Sequence, residues 1–143
     1  MKNRNSDRLT DAVRSLEEAL KYARSSEYQN IGVEFKNVIQ AAVVQNFSLT
    51  FKVCQRMINL QLRDHFGVAA LDGLSSDARL RLADKAGIIA DINRWLEYLE
   101  CDHLSQSSTI AVRTFEKAGE FLQDAKLLLT TCAKRSQNER RAA

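Results

Sequence analysis

Apolar residues recur along this chain at steps of three and four, the period of a helix that buries one face. In the first such segment Leu9, Val13, Leu16 and Leu20 share one side, while charged residues occupy the other. The pattern predicts an amphipathic helix over residues 7–24.

The longest periodic run lies between Asn30 and Phe66, where no proline or cluster of turn residues interrupts it. It predicts one long helix that stops at Gly67, because glycine accepts the backbone angles that end a helix. Three further helices are predicted from caps and apolar rows. They run from Ser76 or Asp77 to Ala86, from the capping Asp91 through Leu99, and from Thr109 to Arg135.

Five helices joined by short polar loops predict an all-α fold, an up-and-down bundle with antiparallel neighbours. The composition agrees, since 45% of the 143 residues are hydrophobic, none is proline and only five are glycine. A chain of this length suits one domain with a real core. We therefore expect a single helical domain over residues 1–143, with frayed tails at 1–6 and 136–143.

The formal charge of +3 is concentrated at the two ends of the chain. Residues 1–8 carry three basic side chains and one acidic, and residues 134–143 carry four basic and one acidic. The body between them is slightly acidic. Only the tails are then candidates for a nucleotide or RNA contact, and that contact is expected to be weak.

The sequence lacks the features that are typical of membrane-spanning, secreted and disulfide-bonded proteins. No apolar run approaches the roughly 18–20 residues of a membrane span, and the N-terminus lacks the apolar stretch of a signal peptide. We expect a cytoplasmic protein with no membrane contact. Cys54, Cys101 and Cys132 are odd in number and widely spaced, so reduced, mostly buried thiols are expected.

Few residues suggest catalysis. His65 and His103 each follow an aspartate near the end of a predicted helix, where the helix dipole favours histidine without any metal. The metal-ligand spacing of helical bundles is missing, as are a glycine-rich phosphate loop, a serine elbow and a zinc-protease helix. We expect no catalytic residue, no metal and no cofactor, and a function that depends on binding surfaces.

Trp95 and Tyr98 allow two interpretations. Both offer a large apolar area with a polar group, which suits a recognition patch. Trp95 also belongs to the apolar row of its own helix, which favours a core position for that residue. Tyr98 falls toward the flank of that row, so its pattern is equally compatible with a core and a surface position.

The order of several features resembles the HEPN superfamily, and within it the nucleotidyltransferase substrate-binding proteins. The likeness spans residues 8–134 and rests on scattered positions. These are Gln45-x-Phe47 with Phe51, Met57 and Gln61-Leu62, then Gly87-x-Ile89-x-Asp91 and Trp95-x-x-Tyr98.

The resemblance implies a bundle of about five helices that forms a homodimer and associates with a separately encoded small nucleotidyltransferase. In many such pairs the HEPN protein is an RNA-cleaving toxin and the transferase is its antitoxin, which can attach AMP to a tyrosine just after the HEPN motif. That motif places an arginine four to six residues before a histidine, supplying a cation for the phosphate and an imidazole for proton transfer across the dimer.

This sequence departs from the motif. Aligned from Trp95, the expected arginine falls at Asp102, the expected histidine at Ser107 and the modifiable tyrosine at Thr109. His103 is present, but no arginine lies four to six residues before it. An aspartate in the arginine position would repel an RNA phosphate, so the resemblance implies a degenerate, non-catalytic member.

The sequence thus predicts the binding subunit of a minimal nucleotidyltransferase complex. Its candidate binding residues are Trp95, Tyr98, Asp102, His103, Ser107 and Thr109. Two alternatives remain. One is a ribonuclease toxin with a rearranged site that uses His103, and the other is a self-associating helical adaptor without a transferase partner.

Overall fold

The computed structural model describes residues 4–104 and 108–142, and within these ranges the chain folds into six α-helices with one turn of 3-10 helix. The all-α prediction is confirmed, with one helix more than expected. In chain order the helices are α1 Arg4–Ala23, α2 Ser26–Asn30, α3 Val33–Phe66, α4 Ser76–Lys85, α5 Ile92–His103 and α6 Ser108–Ala142, with the 3-10 turn at Ala69–Leu71.

Four of these helices, α1, α3, α5 and α6, alternate in direction along the chain and form the bundle. Thr50 of α3 donates a hydrogen bond to the carbonyl of Ala12 in α1 at 3.3 Å, across an antiparallel pair. In α5 and α6, Glu97 pairs with Lys117 and Glu100 with Arg113, so the later residue of α5 meets the earlier residue of α6. The predicted up-and-down arrangement is therefore present.

The extra helix, α2, lies between the predicted helices at 7–24 and 30–66 and overlaps the second of them only at Asn30. The Ser25 hydroxyl caps α2 by accepting a bond from the Tyr28 amide at 3.3 Å. Ile31 and Gly32 are extended, with ψ of 160° and 161°, so the long helix begins at Val33, three residues later than predicted.

Helix ends differ from the predicted ones at several points. The structure begins α1 at Arg4 and continues α6 to Ala142, where the sequence predicted frayed tails at 1–6 and 136–143. Residues 136–142 contain no glycine or proline and include Gln, Glu, Arg and Ala, which are good helix formers. Residues 1–3 and 143 lie outside the described part. The cap of α4 is Ser75, whose hydroxyl accepts from the Ala78 amide at 3.1 Å, and not Ser76 or Asp77.

An aromatic cluster fills the centre of the bundle. It consists of five side chains that are at most 1% exposed: Phe47, Phe51, Trp95, Tyr98 and Phe121. The Phe121 ring of α6 lies between the others, 4.6 Å from the Phe47 centroid and 5.0 Å from the Tyr98 centroid. Three helices therefore meet at one residue.

Gly67 ends α3, as predicted. Its φ of 87° and ψ of 160° fall in a region that is open essentially to glycine alone, and its amide donates to the Arg63 carbonyl at 2.8 Å.

We expect Gly67→Ala to lower the free energy of unfolding by about 1–3 kcal/mol, because alanine is strained at these angles. The measurement is urea unfolding followed by circular dichroism. Gly32→Ala is the matched control: Gly32 has a φ of −67° and open space around its Cβ position, so its effect should stay below about 1 kcal/mol. Equal effects of the two substitutions would contradict the assignment of strain to Gly67.

No helix in the described ranges is both long enough and apolar enough to cross a membrane.

Candidate functional site

The candidate residues predicted from the sequence lie on α5 and at the start of α6. Asp91 caps α5 as expected, since its Oδ1 accepts hydrogen bonds from the amides of Asn93 and Arg94 at 3.0 and 3.3 Å. This cap fixes where α5 starts and therefore which residues face the bundle.

Trp95 and Tyr98 both face inward. Trp95 is 1% exposed, in agreement with the core position favoured by its apolar row, and Tyr98, which the sequence left open, is fully buried. Neither side chain is available on the surface, because both pack in the aromatic cluster against Phe121.

Tyr98 is also part of a polar network that the sequence did not predict. Arg94 donates to both oxygens of Asp124 in α6, at 2.9 and 2.7 Å, and the Tyr98 hydroxyl donates to the same carboxylate at 2.5 Å. The Asp124 side chain is only 6% exposed. Burial, reinforced by the neighbouring carboxylate, raises the pKa of Tyr98 well above its usual range, so the hydroxyl stays protonated and donates.

This network fastens α5 to α6. A buried carboxylate is stable only when hydrogen bonds and a cation compensate its lost hydration, and Arg94 and Tyr98 provide both. The hydrogen bonds that Arg94 donates to Asp124 also raise the pKa of Arg94. One sequence signal could have revealed the network: Asp124 sits directly beside Ala125 within the apolar row of α6.

Asp102, the residue predicted to stand at the arginine position of a HEPN motif, is half-buried in the last turn of α5. Its Oδ1 accepts a hydrogen bond from the Ser48 hydroxyl of α3 at 2.6 Å. Glu97 and Glu100 on the same helix each pair with a base of α6, but Asp102 has no cationic partner among the described residues. The end of α5 therefore carries a carboxylate held in place by a hydroxyl, with its charge uncompensated.

His103 lies on a different side of the α5 end. It is exposed and lines a shallow cavity of about 320 Å³ together with Asp77, Glu100 and Leu104. Leu104 is 47% exposed, which leaves an apolar side chain at the rim. Asp102 contacts α3 whereas His103 faces α4, so the structure does not bring the two side chains to one point.

The last two candidates lie beyond α5. Ser107 falls outside the described residues. Thr109 is exposed in the first turn of α6. Of the six predicted residues, Asp102, His103 and Thr109 are thus the ones that the structure leaves at or near the surface.

The sequence of this chain matches a known protein family. A family described as nucleotidyltransferase substrate binding protein like matches residues 4–134. The chain belongs to this family. Nearly the whole bundle, from the first residue of α1 into the C-terminal part of α6, is included in the match.

The fold of this family member also occurs in a solved structure. A protein from Haemophilus influenzae, described as revealing the fold of a substrate-binding domain of a nucleotidyltransferase, matches with a TM-score of 0.81 and 18% sequence identity. The match covers 90% of this chain and 98% of that one. At this identity the likeness shows a shared fold. No curated protein matches the sequence.

The largest cavity described in this family member lies beside Asp102, between α3 and the start of α6. It measures about 540 Å³ and combines amide side chains, including Asn37, Gln40 and Gln45, with the apolar Val44 and Val112. Ser48, the donor to Asp102, closes one part of it.

The described ranges can also be compared with the requirements of a metal site and of a reactive thiol. They contain no group of three or more His, Cys, Asp or Glu side chains that could hold a metal ion. Cys54, Cys101 and Cys132 are free and buried. Burial raises the pKa of the Cys132 thiol to about 11 and that of Cys54 further, so both thiols stay protonated and weakly nucleophilic near neutral pH.

Proposed function

We propose that this chain is a non-catalytic, HEPN-type subunit that binds a small nucleotidyltransferase and acts as a homodimer, in a pair of the toxin–antitoxin kind. Family membership supports a role beside a nucleotidyltransferase. The observation that carries the non-catalytic part is Asp102. A half-buried carboxylate, fixed by Ser48 and without a cationic partner in the described part of the chain, stands where an RNA-cleaving relative would present an arginine.

Electrostatics disfavour the ribonuclease alternative. A phosphodiester needs a cation near the general acid or base, but the ionisable residues that share the shallow cavity with His103 are Asp77 and Glu100. Each of these carboxylates already pairs with an arginine, Asp77 with Arg81 at 3.0 Å and Glu100 with Arg113 at 3.3 Å, so these two guanidinium groups have carboxylate partners.

The surface that we propose for the transferase is the end of α5. There Asp102 supplies charge, and Leu104, which is 47% exposed, supplies apolar area next to His103 in the shallow cavity. Interfaces commonly combine an apolar anchor with a charged rim, and this small region contains both.

The test is a binding measurement between the purified chain and a small nucleotidyltransferase captured from the native host. Asp102→Lys is expected to raise the dissociation constant about tenfold or more, because it places like charges together at the interface. Ser48→Ala shows how much of this comes only from loss of the hydrogen bond. Asp11→Lys is the matched control, since it makes the same charge change on an exposed part of α1.

Two results would contradict the proposal. Failure to capture any nucleotidyltransferase would overturn the subunit role in favour of the adaptor. Capture with equal affinity for wild type, Asp102→Lys and Asp11→Lys would remove the α5 end from the interface.

A further inference from the structure

One face of α3 is exposed over many turns and carries almost no charge. Residues 37–51 include no acidic or basic side chain. The opposite face of the same segment packs in the core through Val43, Phe47 and Phe51. The free face forms a continuous row at helical spacing, all of it exposed, which we call the α3 stripe. It comprises Glu34, Phe35, Val38, Ala41, Ala42, Gln45, Leu49, Lys52 and Arg56.

Large apolar side chains are concentrated on this side of the molecule. Phe35, Val38 and Leu49 in the α3 stripe are 67%, 66% and 53% exposed. Val33 and Val112 beside it are 73% and 49% exposed, so five of the ten large apolar side chains exposed in the described ranges lie here. Lack of charge together with exposed apolar area is the pattern of an interface core.

We infer that the α3 stripe is the surface on which a second copy of this chain docks, with the two α3 helices antiparallel about a two-fold axis that passes between Ala42 and Gln45. This inference deepens the homodimer part of the proposed function and is independent of how the transferase binds. A two-fold contact requires a surface that is complementary to itself. The α3 stripe meets that requirement in both charge and side-chain size.

Charge selects the antiparallel arrangement. The stripe has its single acid, Glu34, at one end and its bases, Lys52 and Arg56, at the other. None of these three has an ion-pair partner elsewhere in the described residues. Antiparallel pairing brings Glu34 of each copy next to Lys52 of the other, whereas parallel pairing would place like charges together.

Side-chain size fits the same register. With Glu34 beside Lys52 of the second copy, Val38 lies against Leu49 of the second copy, and Ala42 lies against Gln45 near the axis. The small Ala42 allows the helices to approach closely at their crossing, and the larger Val38 and Leu49 fill the space on either side.

The α3 stripe extends along most of the length of α3. A stable interface buries about 800 Å² per partner, roughly a tenth of the 8756 Å² surface described here. From Glu34 to Arg56 the stripe runs for about 33 Å at 1.5 Å per residue. The adjoining 540 Å³ cavity, whose lining includes Ala41 and Gln45 of the stripe, adds a recess between α3 and α6 that combines amide and apolar side chains.

Charge-swap variants test this register by sedimentation or light scattering, with a dimer of the 16.2 kDa chain expected for the wild type. Glu34→Lys and Lys52→Glu should each raise the dimer dissociation constant about tenfold, since each converts two attractive pairs into repulsive ones. The double variant Glu34→Lys/Lys52→Glu restores both pairs and should return to within about threefold of wild type. Glu18→Lys, the same charge change on an exposed part of α1, is the control.

A disulfide trap tests the geometry separately. Val38→Cys/Leu49→Cys should form a covalent dimer on oxidation, whereas either single variant should not. In the antiparallel register two copies of residue 38 lie about 16 Å apart along the axis, beyond the reach of a disulfide. The wild type, whose three cysteines are buried, gives the background.

The outcomes separate this inference from the proposed function. A monomeric wild type, equal dimerisation of all charge variants, or no cross-link from the double cysteine variant would each overturn the α3 register. If Glu34→Lys abolished transferase binding in a chain that remained monomeric, the stripe would belong to the transferase instead. An intact, cross-linkable dimer that captures no transferase would leave the α3 inference standing and refute the subunit role.

Discussion

Replacing Phe121 with alanine is expected to lower the free energy of unfolding by about 3–5 kcal/mol, the range for a large aromatic side chain lost from a core. Phe121 has no exposed surface and contacts the rings of Phe47, Trp95 and Tyr98. The substitution leaves a cavity where α3, α5 and α6 meet. Aromatic pairs in edge-to-face geometry add about 0.5–1.5 kcal/mol each beyond burial, so the upper part of the range is expected.

Urea unfolding at a fixed protein concentration measures this effect, because association would otherwise change the apparent stability. Phe121→Leu keeps most of the volume and should cost less than the alanine variant. Phe66→Ala, at a side chain that is 40% exposed, is the surface control and should change stability by less than about 1 kcal/mol. A similar loss from Phe121→Ala and Phe66→Ala would show that the aromatic cluster does not support the bundle.

Much of the fold follows from periodicity alone. The cap at Asp91 and the stop at Gly67 appear in the structure as predicted, because each depends on local chemistry. The apolar row of α3 is buried from Val43 onward, but Phe35 and Val38 near its start are exposed. The short helix α2 was missed for a different reason. It lies between two periodic segments and is too short to show an apolar row of its own, so the only local signal for it is the cap at Ser25.

The candidate site could be predicted only in part. Sequence alignment with the HEPN motif locates Asp102 at the end of α5, but it cannot reveal that Ser48, 54 residues earlier, is its hydrogen-bond donor. Tyr98 was ambiguous for a similar reason. Its position at the flank of an apolar row says little until Asp124, on a helix distant in sequence, provides an acceptor that allows burial of the hydroxyl.

Removing this acceptor, the carboxylate of Asp124, is the second substitution with a large expected effect on stability. Asp124→Ala should lower the free energy of unfolding by about 2–4 kcal/mol, because it leaves the buried Tyr98 hydroxyl without an acceptor and removes two charge-assisted hydrogen bonds from Arg94. Arg94 is partly exposed and keeps ion pairs with Asp91 and Glu120, which limits the loss. Asp124→Asn keeps one carbonyl oxygen and should cost less. Tyr98→Phe removes only the hydroxyl, while Arg94 still holds the carboxylate, and should cost about 1–2 kcal/mol.

Combining Tyr98→Phe with Asp124→Ala tests whether the two side chains stabilise the fold together or independently. In Tyr98→Phe/Asp124→Ala the buried hydroxyl no longer lacks an acceptor, so the combined loss should be smaller than the sum of the single losses. Strict additivity would contradict the coupling between Tyr98 and Asp124.

Because α5 carries Asp102, His103 and Leu104 at its end, the same network determines how firmly the candidate binding surface is held against α3 and α6. Asp124→Asn should therefore weaken transferase binding more than Asp11→Asn, a conservative change at an exposed aspartate of α1.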